Sequence, residues 1–560
     1  MPTLRAAPAE AGFKAGLKPR IRLDPFIFIY AAAGAYVAAF LVLPVGRILA
    51  ETTLALAEAE TPLEPGFGEY IARITWNSVF VAGSTALLSV GLGIPLAFFT
   101  VKVATPGRGL FRVLLALPLI TPPFISAFAT ILLLGRTGVI TQLLGRVGLP
   151  EVYIYGPAGL ILTHVLHFTP LAYLTVAAGL QVVPAAVEEA AASLGSGTAR
   201  TLTRVVLPYI RPRVLMAAVL VFLASFGDVG APLLLAGNFR VLPLETYTAF
   251  NSFQVDRRVS LVLASWSIIL AFLVLLIVKR LMARTQVSHT FTTRTFVHRD
   301  RPLRWLGLGF CLTVTGVLFL PYVVTVISSF GTVWTTGLLP AAFTLRNYQF
   351  ILTNFHGIKN SLILSAVATP LCVGLAFGLG KLFREYGARA GWLDYLVLLP
   401  FVIPGVVIGI GLVKSYPGFQ PLGFPLLLPI AYSVRRLPYA VRVVTAGYSR
   451  VDRTLEEASL GLGASPWRTF WRVTWPQLMP TLAATSVMAF IRIITELGST
   501  LIILPPGWRT ATVAIFYYAA EGFIGRASAI SVVLIGLVAL GSALANLDYG
   551  RLLGRPRARP

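Results

Sequence analysis

The chain contains a succession of apolar stretches, each long enough to cross a lipid bilayer as a helix. A helix needs about 20 apolar residues to span a hydrocarbon core of about 30 Å. Stretches of this kind lie at 26–49, 75–99, 113–134, 158–180, 213–236, 259–278, 305–329, 359–380, 393–413, 424–447, 481–504 and 528–546. They are too long and too evenly apolar for barrel strands. The sequence therefore predicts an all-α polytopic membrane protein with about 12 transmembrane helices.

The basic residues predict how the spans are oriented. If the N-terminus is cytoplasmic, roughly two thirds of the 46 lysines and arginines fall in cytoplasmic segments, as the positive-inside rule requires. The net charge of +24 is spread along these loops, where it faces anionic lipid headgroups. A nucleic-acid binder would instead concentrate its charge on one soluble face. We expect a multi-pass protein of the cell (inner) membrane with both termini cytoplasmic and no nucleic-acid partner.

Two polar segments between apolar stretches are copies of each other. EEAAASLGSGTARTLTRVVLPYIRP runs from Glu188 to Pro212, and EEASLGLGASPWRTFWRVTWPQLMP runs from Glu456 to Pro480. Further matched pairs are Asn77 with Asn360 and Pro170 with Pro438. The two halves are therefore homologous six-helix domains in parallel orientation, because an even number of spans returns the chain to its starting side.

This duplication sets the predicted domain boundaries. The stretch ARTQVSHTFTTRTFVHRDRP is basic and rich in threonine, as linkers between domains often are. The predicted segments are a cytoplasmic N-terminal tail at 1–25, a first six-helix domain at 26–280, a cytoplasmic linker at 281–304, a second six-helix domain at 305–548 and a cytoplasmic C-terminal tail at 549–560.

Each duplicated segment is predicted to form a helix-turn-helix elbow on the cytoplasmic side. The Glu-Glu-Ala start places carboxylates near a helix N-terminus, where the helix dipole favours them. Gly195 and Gly463 lie where that helix should break. A second short helix, carrying Arg200 in one copy and Arg468 in the other, should then run to the proline before the next span.

These residues resemble the EAA loop of type I ABC importer permeases, whose pattern is EAA, then glycine, then a hydrophobic residue and proline. The resemblance covers nearly the whole chain, since each half is similar to a six-span permease. One departure is Ser459, which stands where the pattern has its second alanine. The resemblance implies that the loops are coupling helices that contact ATP-hydrolysing subunits. The implied ATPase-coupling residues are Glu188, Glu189, Ala190, Gly195, Arg200, Pro208, Glu456, Glu457, Ala458, Gly463, Arg468 and Pro476.

The same resemblance implies the partners of the chain. These are two copies of an ATP-binding cassette subunit on the cytoplasmic side, an extracytoplasmic solute-binding protein and the lipid bilayer. No cofactor is expected in this chain, because ATP and magnesium would bind to the partner subunits. Consistently, the chain has no GxxxxGK[ST] loop, and the nearest candidate, Gly380-Lys381, is followed by Leu382. We find no Ser/His/Asp arrangement, so the chain is predicted to be a transport subunit and not an enzyme.

Ionisable residues inside apolar stretches are costly and usually face a cavity or a partner. Asp228 and Glu496 occupy equivalent places in the fifth and eleventh stretches, and Arg435 and Arg436 lie in the tenth. They either line a translocation pathway or form structural pairs at helix breaks, and the sequence leaves both interpretations open. His164 and His167 are one helical turn apart and are further pathway candidates, but two ligands do not make a closed metal site, so no metal site is predicted.

The fusion of both halves in one chain resembles the ferric-iron group of these importers. Ferric iron is therefore the expected cargo, carried by alternating access, and thiamine, polyamine and aminoethylphosphonate are the alternatives. An ion-coupled secondary transporter is a rival class, because it would also show duplicated halves, although it would not need two EAA-type elbows. A membrane-embedded enzyme ranks last, because the sequence contains no reactive constellation.

Overall fold

The structure is a computed structural model that describes residues 26–59, 63–116, 118, 121–252, 256–283, 296–332, 340–419 and 421–545. Within these ranges the chain forms helices joined by loops, together with two isolated backbone bridges, Val103 with His298 and Gly331 with Phe343. The predicted all-α polytopic class is confirmed. Both predicted tails fall outside the described residues, and so does the middle of the predicted linker, residues 284–295.

The first half begins with a long helix and contains an elbow between two of its spanning helices. Its helices are α1 (Ile27–Ala57), α2 (Phe67–Val101), α3 (Arg108–Leu114), α4 (Pro123–Leu134), α5 (Val139–Arg146), α6 (Pro157–Gln181), α7 (Ala185–Ser193), α8 (Thr198–Phe226), α9 (Gly230–Leu235), α10 (Leu242–Asn251) and α11 (Arg257–Ala283). The elbow consists of α7 and the start of α8.

The second half repeats this order. Its helices are α12 (Arg301–Ser329), α13 (Arg346–Thr353), α14 (His356–Tyr386), α15 (Gly391–Val402), α16 (Gly405–Ser415), α17 (Leu427–Tyr448), α18 (Arg453–Gly461), α19 (Pro466–Ile494), α20 (Thr500–Ile503), α21 (Ala511–Ala520) and α22 (Ile524–Ala545). Its elbow consists of α18 and the start of α19. The end of the bundle that carries α7 and α18 is called the elbow face below.

Ten of the described helices are long and apolar enough to cross a membrane, and there are eleven if the bent pair α15 and α16 forms one span. These two helices meet at an angle of 108°, where Pro404 cannot continue the first helix. The tenth predicted span corresponds to α17, which has 22 residues but is less apolar because it carries three arginines. The third predicted span is shifted along the chain, since the membrane-length stretch runs over Pro123–Arg146, which comprises α4 and α5, and does not begin near residue 113.

Two predicted spans were drawn too long, and the structure corrects them at matching places. The predicted span 213–236 ends as a helix at Phe226, and the predicted span 481–504 ends at Ile494. Short helices resume at Gly230 and at Thr500. Asp228 and Glu496 therefore lie in breaks between helices and not within continuous spans. At such a break, backbone N–H groups are free to donate hydrogen bonds to a carboxylate. The pattern of apolar residues alone does not reveal where these breaks occur.

The first helix of each half packs against the opposite half. In α1, Tyr36 Oη lies 2.6 Å from Ser433 Oγ, and the Ala39 carbonyl accepts a hydrogen bond from Tyr416 Oη at 2.8 Å. In α12, Gly307 lies so close to the first half that a Cβ there would come within 2.7 Å of Phe99. The two halves are thus joined by exchanged helices as well as by the chain connection.

The buried cores reflect the same exchange. The largest apolar cluster is built mainly from the second half but includes residues of the first half, among them Val37 and Ile48 of α1 and Ile268 of α11. The main cluster of the first half includes Cys311 and Leu318 of α12. Side chains of α1 and α12 are therefore buried within the partner half, so neither half completes its core alone.

Candidate functional site: two elbow loops and a charged junction

The two elbows have the same backbone geometry. Gly195 and Gly463 adopt positive φ angles of 76° and 83°, which glycine accepts without steric cost. In the first elbow, Ser196 N–H donates to the Ala191 carbonyl at 3.0 Å. In the second, Ala464 N–H donates to the Ser459 carbonyl at 3.1 Å. These six-to-one bonds end the helix as a Schellman motif, so both predicted helix breaks lie at the expected glycines.

The prediction for the second arm of the elbow was wrong in one respect. The helix that carries Arg200 does not stop at a proline, and neither does its copy with Arg468, because each continues into the next span. One π turn covers Leu202–Val206 and another covers Phe470–Thr474. Each π turn widens the helix immediately before the proline-containing turn, which accommodates the proline ring without ending the helix.

Most of the predicted coupling residues form an exposed surface. Leu194 and Leu462, which precede the turn glycines, are 89% and 90% exposed. The other exposed members of this surface are Glu189, Ala190, Gly195, Arg200, Pro208, Glu457, Ala458, Gly463 and Arg468, and Pro476 is half-buried. Large aliphatic side chains with this exposure at duplicated positions are suited to contact with a partner.

The first glutamate of each motif points the other way, into the protein. Glu188 forms an ion pair with Lys102, and both side chains are almost completely buried. Burial raises the pKa of the Glu188 carboxyl and lowers the pKa of the Lys102 ammonium, and the hydrogen bond between them opposes both shifts. Lys102 directly follows α2, so this pair ties the first elbow to the end of a spanning helix.

The second elbow repeats the arrangement with an arginine. Arg384 Nη1 and Nη2 donate to the two oxygens of Glu456 at 3.1 and 2.7 Å. The Thr474 hydroxyl donates to the same carboxylate. The sequence predicted no role for Lys102 or Arg384 beyond their share in the cytoplasmic excess of basic residues. Each of these basic residues lies at the end of a spanning helix, and two further spans separate that helix from the elbow. This shared position was the signal that could have identified both residues.

The charged residues of the first half meet at the break after α8. Asp228 accepts hydrogen bonds from the backbone N–H of Ala231 at 3.0 Å and of Gly230 at 3.3 Å. Its carboxylate also lies 3.2 Å from His164 Nε2. His164 Nδ1 is 2.8 Å from the hydroxyl of Ser225. Asp228 thus caps the short helix α9 and holds His164.

The charged residues of the second half meet at the equivalent break. Glu496 forms ion pairs with Arg435 and Arg436, and its contact with Arg435 Nε is 3.0 Å long. That contact is poorly directed for a hydrogen bond, and Nε and Nη1 of Arg435 have no hydrogen-bond partner among the described residues. Gly405 makes room for this guanidinium, because a Cβ there would lie 2.3 Å from Arg435 Nη1.

The two histidines do not converge on one point. His164 contacts Asp228, whereas His167 Nδ1 lies 3.2 Å from Ser126 Oγ. Ser126 is in turn 3.5 Å from Tyr322 Oη of the exchanged helix α12. Within the described part of the chain, no group of three potential metal ligands is found.

The two breaks adjoin each other where the halves meet. A Cβ on Gly230 would lie 2.8 Å from Phe124 of the first half and 3.3 Å from Leu497 of the second. Arg492 lies in the last turn of α19, four residues before Glu496. No carboxylate among the described residues lies within ion-pairing distance of Arg492. The junction therefore carries more arginines than carboxylates.

Known proteins resemble this chain over most of its length. Ferric transport system permease protein FbpB of Actinobacillus pleuropneumoniae is 25% identical over 503 residues, which cover 83% of this chain and 69% of that protein. Putative ferric transport system permease protein FbpB 1 of Haemophilus influenzae is 26% identical, covering 78% of this chain and 71% of that protein. Putative 2-aminoethylphosphonate transport system permease protein PhnV of Salmonella typhimurium is 32% identical, covering 40% of this chain and 85% of that protein.

A family model matches the chain twice. The model described as "Binding-protein-dependent transport system inner membrane component" matches residues 89–288 and 371–553. Each match contains one elbow and one charged helix break. The chain therefore belongs to the binding-protein-dependent transport system inner membrane component family, as a fused two-domain permease of a type I ABC importer.

Proposed function

We propose that this permease forms the membrane pathway of a ferric-iron importer driven by two ATP-binding cassette subunits. Those subunits bind ATP and magnesium, contact the elbow face and lie in the cytoplasm together with both termini of this chain. A solute-binding protein delivers the cargo at the opposite face. When the ATPase subunits close, they draw the two elbows together and rock the halves about their junction, which alternates access to the pathway.

The observation that carries this proposal is the duplicated exposed leucine. Leu194 and Leu462 project from matching turns at 89% and 90% exposure. A large apolar side chain on a fixed turn can fill a pocket in a partner and contribute much of the binding energy. Because the two turns share one geometry, two copies of the same ATPase subunit can bind them.

Co-purification tests this proposal. We expect Leu194→Glu together with Leu462→Glu to abolish retention of the ATPase subunit on the tagged permease, since a charge in an apolar pocket is costly to bury. Leu352→Glu is the matched control, because Leu352 is 78% exposed but lies on α13, which follows the far end of α12. Retention of the ATPase by the double variant would contradict the proposal.

Ferric iron is the proposed cargo because two relatives that match across both halves are named ferric transport permeases. The charge at the junction favours a second candidate, an oxyanion such as a phosphonate. Arg435, Arg436 and Arg492 outnumber the carboxylates Asp228 and Glu496 there. Surplus positive charge opposes cationic cargo such as thiamine and polyamines. It also means that ferric iron would cross together with an anionic ligand.

Two measurements separate these candidates. Calorimetry with the cognate solute-binding protein compares ferric iron, 2-aminoethylphosphonate, thiamine and spermidine, and we expect ferric iron to bind. Uptake of the bound solute into proteoliposomes is then measured with ATP or with an ion gradient alone. Uptake driven by the gradient without the ATPase would support the secondary-transporter alternative and contradict the proposal.

A further inference from the structure

Each elbow is held to a spanning helix by a cation paired with the first motif glutamate. We propose that Lys102 and Arg384 are positioning residues that transmit movement of the ATPase subunits from the elbows to the spans. This inference rests on the proposed function of the elbows. It assigns a role to two residues outside both duplicated segments.

The elbow helices have few other contacts with the protein. In α18 no residue is buried, and in α7 only Ala185 and Glu188 are buried. Apolar packing therefore contributes little to holding either helix in place. The ion pairs between Glu188 and Lys102 and between Glu456 and Arg384 link the elbow helices to spanning helices, and in the second elbow the exposed Arg453 also donates to the Arg384 carbonyl at 3.4 Å.

The first pair also connects the elbow to the second half. The carbonyl of Lys102 accepts a hydrogen bond from His298 N–H at 2.7 Å, and Ala104 N–H donates to the His298 carbonyl at 2.9 Å. Arg304 Nε then donates to the Ala104 carbonyl at 2.9 Å. Since Arg304 lies in the first turn of α12, displacement of α7 would act on α2 and on α12 together.

The second pair joins three elements of its own half. Arg384 lies near the end of α14 and binds Glu456 of α18 through two parallel hydrogen bonds, a geometry that fixes orientation as well as distance. Thr474, in the π turn of α19, donates to the same carboxylate. Displacement of α18 would therefore act on both α14 and α19.

Hydrogen–deuterium exchange of the full chain in detergent tests the anchoring itself. We expect Lys102→Met to accelerate amide exchange in α7 by about tenfold, because the buried Glu188 carboxylate loses its cation. We expect Arg384→Met to do the same in α18, because Glu456 loses its bidentate partner and keeps only the hydrogen bond from Thr474. Lys102→Arg should restore slow exchange, since it keeps the charge. Unchanged exchange in both methionine variants would overturn the proposal.

Transport per ATP hydrolysed tests the consequence. In proteoliposomes loaded with the ATPase subunit and the solute-binding protein, with radioactive ferric iron as the probe, we expect each methionine variant to lower iron uptake per ATP at least about fivefold. The ATPase subunit should still co-purify, because Leu194 and Leu462 remain exposed. Full uptake per ATP in the methionine variants would overturn the proposal.

Lys414→Met provides a matched control. Lys414 pairs with Glu51 at 2.7 Å, and the two side chains are 8% and 24% exposed, close to the 7% and 21% of Arg384 and Glu456. This pair joins α16 to α1 away from the elbows. Lys414→Met should leave exchange in α7 and α18 and uptake per ATP unchanged, and an equal loss in this variant would overturn the proposal. Loss of ATPase co-purification from the unmodified chain would instead refute the proposed function, while the exchange experiment would still test the anchoring.

Discussion

At the scale of single residues, the turn glycines of the elbows differ in what they require. Gly195 has a φ of 76°, whereas Gly197, two residues later, has a φ of −69°. A Cβ would meet nothing within 4 Å at either position. The two glycines therefore differ in backbone conformation and not in the space available for a side chain.

We expect Gly195→Ala to destabilise the first elbow by about 1 kcal/mol, because alanine is strained at positive φ. Gly197→Ala should be neutral. Amide exchange across α7 and the first turn of α8 measures the difference. Equal exchange rates in the two variants would show that the turn does not need a left-handed residue.

Gly405 is required for a different reason, namely space. A Cβ would lie 2.3 Å from Arg435 Nη1, so Gly405→Ala must displace the guanidinium from Glu496. We expect a loss of about 1–3 kcal/mol, seen as a lower melting temperature in detergent. Gly374→Ala is the control, because Gly374 lies within α14 with nothing near its Cβ position. Similar melting temperatures for the two variants would contradict the packing argument.

The sequence could identify the charged residues of the junction but not their pairing. Equivalent positions of Asp228 and Glu496 followed from the duplicated pattern. The pattern did not predict their partners, because Asp228 pairs with His164 whereas Glu496 pairs with Arg435 and Arg436. Pairing depends on how α6 and α17 are rotated, and hydropathy does not fix that rotation.

At the scale of helices, the exchange of α1 makes a specific prediction. Ile48 is fully buried and lies 3.2 Å from the Cβ position of Gly411 in the second half. Leu54, on the same helix, is 57% exposed. We expect Ile48→Ala to destabilise the chain by about 2–5 kcal/mol and Leu54→Ala to have little effect. Thermal unfolding in detergent checks this, and equal losses would argue against burial of α1 in the opposite half.

The sequence also limits what could be predicted about helices. The lengths of the apolar stretches correctly predicted ten membrane-spanning helices among the described residues. The duplicated glycines correctly predicted both elbow turns. The breaks after Phe226 and Ile494 were missed because the residues beyond them remain apolar. The π turns were missed because proline was taken as a helix end.

At the scale of the whole molecule, the structure describes two similar halves joined by exchanged helices and a charged junction. The exchange could not be predicted, because it depends on contacts between residues such as Tyr36 and Ser433, almost 400 positions apart. Duplication, in contrast, was visible in the sequence and predicted two equivalent elbows. We propose that these elbows allow two external ATPase subunits to move both halves at once.

Site-specific photocrosslinking from the elbows tests this central claim most directly. A photoreactive amino acid is placed at position 194 or 462 of the full chain in its native membrane, and at position 352 as a control. We expect positions 194 and 462 each to capture the ATPase subunit and position 352 not to capture it. Capture of the ATPase at position 352, or at neither elbow, would contradict the proposed role of the elbows.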